Sequence, residues 1–159
     1  MIELRAESEE VNFGDVPEAI NALLQRGVVA YRSEKPLAES LFRQALAADP
    51  AQLPTYFCLY KIHTYQGSLD EGLAVAQQGL FEAARQAGLS PDWQNWVRQT
   101  PIPDGAARFA LYTLKAMAFI RLRRGEAEAA DALLAKLAEL DPEGVVGWPV
   151  VAALAEGAV

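Results

Sequence analysis

Few residues in this chain have side chains that could act as a nucleophile, a base or a soft metal ligand. There is one cysteine, Cys58, and one histidine, His63. On a helix, two residues five positions apart lie about 140° apart around the axis, so these side chains would not face each other. Nucleophilic catalysis needs the nucleophile and its base within hydrogen-bond reach, and one histidine with one cysteine falls short of the usual zinc ligand set. We therefore expect a protein that is not an enzyme and that has no catalytic residue, metal or cofactor.

Composition narrows the classes of partner. The 159 residues carry a formal net charge of −7 with an isoelectric point near 4.7, which disfavours nucleic acid and anionic membrane surfaces. No apolar run reaches the roughly 18–20 residues that cross a bilayer, and the acidic N-terminus lacks the features of a signal peptide. A lone cysteine excludes an internal disulfide and fits a reducing compartment. We expect a cytoplasmic protein that binds neither nucleic acid nor membrane.

Turn and capping residues divide the chain into helices, and no segment shows the alternation of a strand. Asp15, followed by Pro17 and Glu18, resembles a capping box, and Ser68 with Glu71 forms a second one. Helices joined by short turns pack as antiparallel neighbours, so we predict an all-α fold. The predicted organisation is a polar lead-in over 1–14, with disorder as an open alternative, and a single domain over 15–157. That domain would hold helix pairs over about 16–50, 53–88 and 106–142, an insert with a short helix over 89–105, and a terminal helix over 146–156.

Two stretches of the chain share one design. Each runs from a small residue, through a large apolar residue one turn later, to an Asp-Pro dipeptide. The first comprises Ala38, Phe42, Ala45 and Asp49-Pro50, and the second comprises Ala130, Leu134, Leu137 and Asp141-Pro142. Small residues let two helices approach closely, and a proline stops the second helix so that the chain can turn. The duplication indicates a repeated helix hairpin, and internal repeats decide the fold class.

This spacing resembles the tetratricopeptide repeat (TPR), a helix–turn–helix unit of about 34 residues. Counting on from Pro50 and back from Pro142 places further residues on the positions of that repeat. They are Tyr56, Leu59, His63, Gly67 and Gly72 in one unit, Leu114, Met117, Ala118 and Gly125 in another, and Trp148 on a terminal helix. Tyr60 departs from the family pattern, which has glycine there, and no proline closes the second unit. The resemblance implies a right-handed superhelical stack of about three helix pairs with a terminal capping helix, an α–α solenoid.

In the tetratricopeptide family, ligands usually lie in a concave groove lined by the first helix of each pair. In this chain, the groove-facing positions of the first helices hold a set of aromatic and cationic residues. They are Tyr31, Phe57, Lys61, Tyr65, Tyr112, Lys115, Phe119 and Arg123. Aromatic side chains supply rigid contact area and cations attract carboxylates. The resemblance therefore implies a protein or peptide partner with acidic and apolar side chains. The alternative is that the aromatic residues are core between repeats and the cations are ordinary solvated charges.

Trp93 and Trp96 in the insert are a possible second interface, since tryptophan is enriched at interface hot spots. Their alternative role is to pack the short helix of the insert onto the stack. For the whole protein we predict a protein-interaction module and leave two alternatives open. One is a chaperone or adaptor for a secretion or enzyme-assembly system, which rests on fold analogy. The other is a homo-oligomeric scaffold, in its simplest form a homodimer.

Overall fold

The computed structural model describes residues 10–157, and every regular element in that range is helical, as predicted. Within it, seven α-helices follow one another, with a single 3₁₀ turn at Trp93–Asn95 between the fourth and the fifth. They are α1 (Glu18–Tyr31), α2 (Lys35–Ala48), α3 (Leu53–Gln66), α4 (Leu69–Ala87), α5 (Gly105–Arg123), α6 (Ala127–Leu140) and α7 (Trp148–Gly157). No helix in this part of the chain is both long and apolar enough to cross a membrane.

The packed part of the chain begins before residue 15, inside the lead-in predicted over 1–14. Val11 and Phe13 are buried in the core. The Gln25 side chain of α1 holds this segment with two hydrogen bonds: it donates to the Val11 carbonyl oxygen at 2.6 Å and accepts from the Val11 N–H at 3.0 Å. Two apolar residues in a polar stretch thus extend the domain toward the N-terminus. Residues 1–9 of the predicted lead-in lie outside the described residues.

Neither predicted capping box forms, and each has a local reason. Pro17, which has no side-chain oxygen, takes the N-cap position of α1, so Asp15 lies outside the helix. Ser68 is the N-cap of α4, but its side chain makes no capping hydrogen bond. The carboxylate of Glu71 lies instead 3.5 Å from Nδ1 of His63. Glu71 therefore connects α4 to α3 and does not close the end of its own helix.

The two Asp-Pro dipeptides end α2 and α6 and also shape the turns that follow. The Asp49 carboxylate accepts a hydrogen bond from the Ala51 N–H at 3.1 Å. Asp141 is buried, and its carboxylate oxygens accept from the N–H groups of Val145 and Val146 at 2.9 and 3.0 Å. The aspartate satisfies backbone donors of the connection while the proline prevents the helix from continuing.

Each helix packs mainly on its neighbours in the chain. The most extensive contacts join α1 to α2, α3 to α4, α4 to α5 and α5 to α6, and α5 also touches α3 and α7. The duplicated residues Ala38, Phe42, Ala45, Ala130, Leu134 and Leu137 are all buried. The repeated small and large residues therefore form the core between successive helices.

The insert over 89–105 is attached to the helices through Trp96, which is buried. The indole N–H of Trp96 donates to the Ser90 carbonyl oxygen at 2.7 Å, a hydrogen bond that joins two residues of the insert. Lys136 of α6 donates from Nζ to the Trp96 carbonyl oxygen at 2.8 Å. Trp93 is partly buried and packs against the same core. The tryptophan pair thus holds the insert on the helices, and Trp96 presents little free surface for a second interface.

Glycine at two positions of α4 allows this helix to approach α3 closely. A Cβ added to Gly79 would stand 2.8 Å from Cβ of Tyr56, closer than real Cβ contacts allow. A Cβ added to Gly72 would stand 3.4 Å from Cβ of His63 and from Oγ1 of Thr64, at the edge of ordinary contact. Both glycines are buried and both face α3.

We expect Gly79→Ala to lower the free energy of unfolding by about 1–3 kcal/mol, because the new methyl group forces α3 and α4 apart. Gly72→Ala is the matched control on the same helix. It should leave stability unchanged or raise it by up to about 1 kcal/mol, since alanine has the better helix propensity. Urea titration followed by circular dichroism measures both variants. Equal effects of the two substitutions would contradict the close approach at Gly79.

Candidate functional site

The eight residues predicted to line a groove all take part in contacts between a cation and an aromatic ring. We call them the cation–aromatic row: Tyr31 of α1, Phe57, Lys61 and Tyr65 of α3, and Tyr112, Lys115, Phe119 and Arg123 of α5. In five contacts, one of which adds Lys35 over Tyr31, the cation lies 5.2–5.9 Å from the ring centroid. Each ring is three or four positions from its cation. Within α3 and α5 this spacing places both on one helix face, whereas Tyr31 ends α1 and Lys35 begins α2. An exposed contact of this kind contributes about 0.5–1 kcal/mol.

On α3, one lysine lies between two rings. Phe57, Lys61 and Tyr65 follow one another at intervals of one helical turn and form a stripe along the helix. The Lys61 ammonium is 5.2 Å from the ring centroid of Phe57 and 5.7 Å from that of Tyr65. Phe57 is half-buried and meets Tyr60 edge to face at 5.6 Å, whereas Tyr65 is 64% exposed. Tyr65 is therefore surface and not core between repeats.

On α5, two further pairs follow each other. The Lys115 ammonium is 5.2 Å from the Tyr112 ring centroid, and the Arg123 guanidinium is 5.9 Å from that of Phe119. Both rings pack partly against the core, while Arg123 is exposed. Nζ of Lys115 is 3.4 Å from the point where a Cβ on Gly147 would stand, just before α7. The missing side chain at Gly147 leaves room for the lysine.

Two tyrosines join the row across helices. The pKa of Tyr31 is raised above its ordinary value, first by burial and second by the nearby phenol of Tyr65. Four of the five contacts between a cation and a ring stay within one helix, and the fifth, between Tyr31 and Lys35, spans the turn from α1 to α2. The packing of α3 on α5 therefore sets how their two stripes lie relative to each other.

Three cations of the row, Lys61, Lys115 and Arg123, have no carboxylate partner among the described residues. Ion pairs with Asp or Glu are instead formed by Arg43, Arg85, Arg108, Arg121, Arg124 and Lys136. Burial lowers the pKa of Lys115, because the desolvated ammonium loses hydration that no carboxylate replaces. The row thus keeps positive charge that the acidic residues between positions 10 and 157 do not neutralise.

The thiol of Cys58 is not suited to nucleophilic chemistry in this fold. Cys58 is buried on α3 and packs in the core. Burial raises the pKa of the thiol to about 12, with the positive charge of Lys61 acting in the opposite direction. Since the thiolate is the reactive form, the side chain is inert at neutral pH. Its observed role is packing.

An open depression of about 710 Å³ lies between α2 and α4. Its lining residues include Leu46, Pro50, Tyr56, Phe81 and Glu82. The Tyr56 hydroxyl donates to the Pro50 carbonyl oxygen at 2.5 Å. The pKa of Glu82 is lowered by hydrogen bonds, first from Arg85 and then from Gln86. The titratable groups of this depression are thus engaged within the chain and do not form a pair suited to acid–base catalysis.

His63 is buried, as its repeat position predicts, but it also belongs to a polar cluster that the sequence did not reveal. Its Nε2 lies 3.2 Å from Nη2 of Arg43, and its Nδ1 lies 3.5 Å from Oε2 of Glu71. Nε of Arg43 donates in turn to Oε2 of Glu39 at 3.0 Å. Glu39 and Glu71 come from α2 and α4, so only the packing of these helices brings them to the histidine. The sequence-based search for metal ligands considered histidine and cysteine alone and overlooked both carboxylates.

We expect Lys115→Met to raise the melting temperature at pH 7 by up to about 3 °C, because it removes a partly buried charge without a carboxylate partner. This difference in melting temperature should shrink as the pH rises from the pKa of Lys115 in the folded state, which is lowered, to its pKa in the unfolded state. In that range the amine of Lys115 becomes neutral in the folded wild-type protein, so its buried charge is lost. Lys35→Met removes an exposed cation of the same kind and should change the melting temperature little. Calorimetry across this pH range measures both variants. A lower melting temperature for Lys115→Met than for the unmodified protein at pH 7 would contradict the conclusion that Lys115 carries an unpaired, desolvated charge.

Comparison with known proteins gives no match that could identify this chain. No protein-family model matches it, and no curated protein or solved structure matches it. The resemblance to tetratricopeptide repeats therefore stays a prediction that rests on residue spacing and agrees with the helical structure. The function has to be inferred from the arrangement of side chains.

Proposed function

We propose that this protein is a protein-interaction module that binds a peptide or helical segment across the cation–aromatic row. The bound segment would be rich in acidic and apolar side chains. Its carboxylates would meet Lys61, Lys115 and Arg123, and its apolar side chains would cover the exposed parts of the rings. The module acts by binding and not by catalysis, and we expect it to work in the cytoplasm.

The observation that carries this proposal is a set of cations that lie over rings and have no carboxylate partner in the part of the chain that the structure describes. A ring contact restrains a long cationic side chain without neutralising its charge. An acidic partner would meet positive charge that is already ordered, so less side-chain entropy is lost on binding. The chain as a whole has 21 acidic residues against 14 Lys and Arg. Cations held apart from that excess of acids favour a role in recognition.

The position of Lys115 gives this proposal further support. Its ammonium is partly desolvated, with a lowered pKa, and lies between the Tyr112 ring and Gly147. A charge in such a place lowers stability, so packing alone does not account for it. A carboxylate from a partner would supply the missing interaction. Exclusion of water by the partner would strengthen it further.

We propose a tetratricopeptide-like stack as the architecture behind this surface. Chain neighbours pack on each other and α5 touches both α3 and α7. Within the described residues, α1 packs extensively on α2, but no extensive contact joins the two end helices α1 and α7. A closed bundle would bring the first and last helices together, so this pattern favours an open row of helix pairs. In such a row, the first helices α1, α3 and α5 share one side, and these helices carry the cation–aromatic row.

Binding of designed peptides tests the proposal. A fluorescein-labelled peptide that alternates glutamate with leucine or phenylalanine should bind, and the same peptide with lysine for glutamate should not. Fluorescence anisotropy measures the dissociation constant, and the affinity should fall with added salt because the attraction is electrostatic. The double variant Lys61→Glu with Arg123→Glu should bind the acidic peptide about tenfold more weakly or worse.

The double variant Arg26→Glu with Arg98→Glu is the matched control, because it changes the net charge equally at two exposed residues that lie outside the row and, like Lys61 and Arg123, form no ion pair among the described residues. It should bind the acidic peptide with an affinity within about threefold of the unmodified protein. Circular dichroism and melting temperatures check that both variants are folded. Equal weakening in the two variants would mean that net charge alone drives binding. Unchanged binding in the Lys61 and Arg123 variant would refute the assignment of the row.

Self-association is a second candidate function, because α7 leaves apolar side chains uncovered. Val150 and Leu154 lie one helical turn apart and are both exposed. A homodimer through this face would cover the end of the stack. Light scattering at two protein concentrations should then show a rising mass that Val150→Glu abolishes, whereas a constant monomer mass excludes the dimer. The chaperone or adaptor role stays a hypothesis that rests on fold analogy.

A further inference from the structure

Three potential metal ligands from three helices meet beside α3. Glu39 of α2, His63 of α3 and Glu71 of α4 each offer one ligand atom, and these atoms all lie within 4.8 Å of one another. We propose that these residues form a binding site for a divalent first-row transition metal, with Zn²⁺ as the representative ion. The site uses no residue of the cation–aromatic row, so it stands apart from the proposed recognition function.

The donor set suits this class of ion. Imidazole is a good ligand for zinc, copper, iron and nickel, whereas sites made of oxygen ligands alone favour magnesium, calcium and manganese. One histidine and two carboxylates fill three positions of a tetrahedron and leave the fourth for water or another ligand. Ligands of a single zinc ion lie about 2.0–2.2 Å from it, so modest side-chain rotations would complete the site. The Glu71 side chain, 61% exposed, has room for such a rotation.

The buried ring of His63 is not fully satisfied in the described structure. Its Nδ1 has no hydrogen-bond partner there, although Oε2 of Glu71 lies 3.5 Å away. Arginine only donates hydrogen bonds. The 3.2 Å contact with Arg43 therefore needs a lone pair on Nε2, which places the ring proton of the neutral histidine on Nδ1. A buried polar atom without a partner costs free energy, and this one faces a carboxylate of the cluster.

Metal binding and the Arg43 contact exclude each other, whichever ring nitrogen coordinates the ion. If Nε2 binds the metal, its lone pair is no longer available to Arg43. If Nδ1 binds the metal, the ring proton moves to Nε2, which then meets the guanidinium as donor to donor. In both cases Arg43 must leave. Its side chain is 47% exposed, so it can turn into solvent.

Arg43 thus acts as an internal competitor for the site. It donates to both Glu39 and His63, so its guanidinium occupies the space between two of the three ligands. Removal of this cation should favour a metal ion, whereas removal of a cation from an ordinary ion-pair network should only weaken the network. Loss of Arg43 should therefore strengthen Zn²⁺ binding at a metal site and should not do so at a purely structural cluster.

Titration of the full chain with Zn²⁺, on protein made without a histidine tag, tests the site. His63 is the only histidine, so its imidazole signals in a long-range ¹H–¹⁵N NMR spectrum need no assignment. Before Zn²⁺ is added, the spectrum should show the proton on Nδ1. Addition of Zn²⁺ should shift these signals, and calorimetry should give one site per chain. Zn²⁺ binding that leaves the histidine signals in place, or no binding, would overturn the proposal.

Three variants sharpen the test. Arg43→Met should tighten Zn²⁺ binding by about tenfold, because the competing cation is removed. Glu39→Gln and Glu71→Gln keep the side-chain shape but remove the charge, and each should weaken binding by about 10- to 100-fold. Both glutamates lie partly or largely in solvent, so these variants should fold, as circular dichroism can verify.

Glu82→Gln is the matched control, because Glu82 also contacts an arginine, Arg85 of α4, but lies outside the cluster. It should leave the Zn²⁺ affinity unchanged. Unchanged affinity in both Glu39→Gln and Glu71→Gln would refute the site. Weaker binding in a folded Arg43→Met variant would likewise refute it, in favour of a structural polar cluster around His63.

Discussion

The close approach of α3 to α4 is the packing constraint on which the rest of this structure depends. Gly79 brings the α4 backbone against Tyr56, and Gly72 faces His63 at an ordinary contact distance. With α2 and α5 also packed on α3, most of its circumference is buried. The part of α3 that reaches solvent is a stripe that contains the α3 members of the cation–aromatic row, with Pro54 and Gln66 near its ends. Because helices are rigid along their length, this packing sets the position of each side chain on the stripe.

The same packing gives α3 two chemically different sides. On the outer stripe, Lys61 lies over rings and has no carboxylate among the described residues. On the buried side, α2 and α4 each bring a glutamate to His63, and Arg43 lies among them. Charges separated by the width of a helix and screened by solvent interact weakly. An acidic chain can therefore present positive charge on one surface while its carboxylates serve other contacts.

Local signals in the sequence predicted most of the fold. The predicted span of α3 agrees with the structure, because Gly67 adopts the left-handed conformation that ends the helix. The duplicated small and large residues are buried between helices as the repeat spacing implies. Where local signals failed, a tertiary contact replaced a local one. Glu71 lies near His63 and does not cap its helix, and Val11 and Phe13 enter the core from a segment predicted as polar. At Val11 and Phe13 the burial of two apolar side chains outweighs the polar character of their segment.

By itself, the sequence determined that the described chain is helical, where most helices end, and which aromatic and cationic residues share a helix face. These properties depend on residues within one or two turns of each other, so spacing alone predicts them. Only the tertiary structure decided which cations lack a carboxylate, that Lys115 is partly buried, and that Glu39 and Glu71 come to His63. Those outcomes depend on distances between helices that are far apart in the chain. Such distances arise from packing, for which no single segment of the sequence carries a signal.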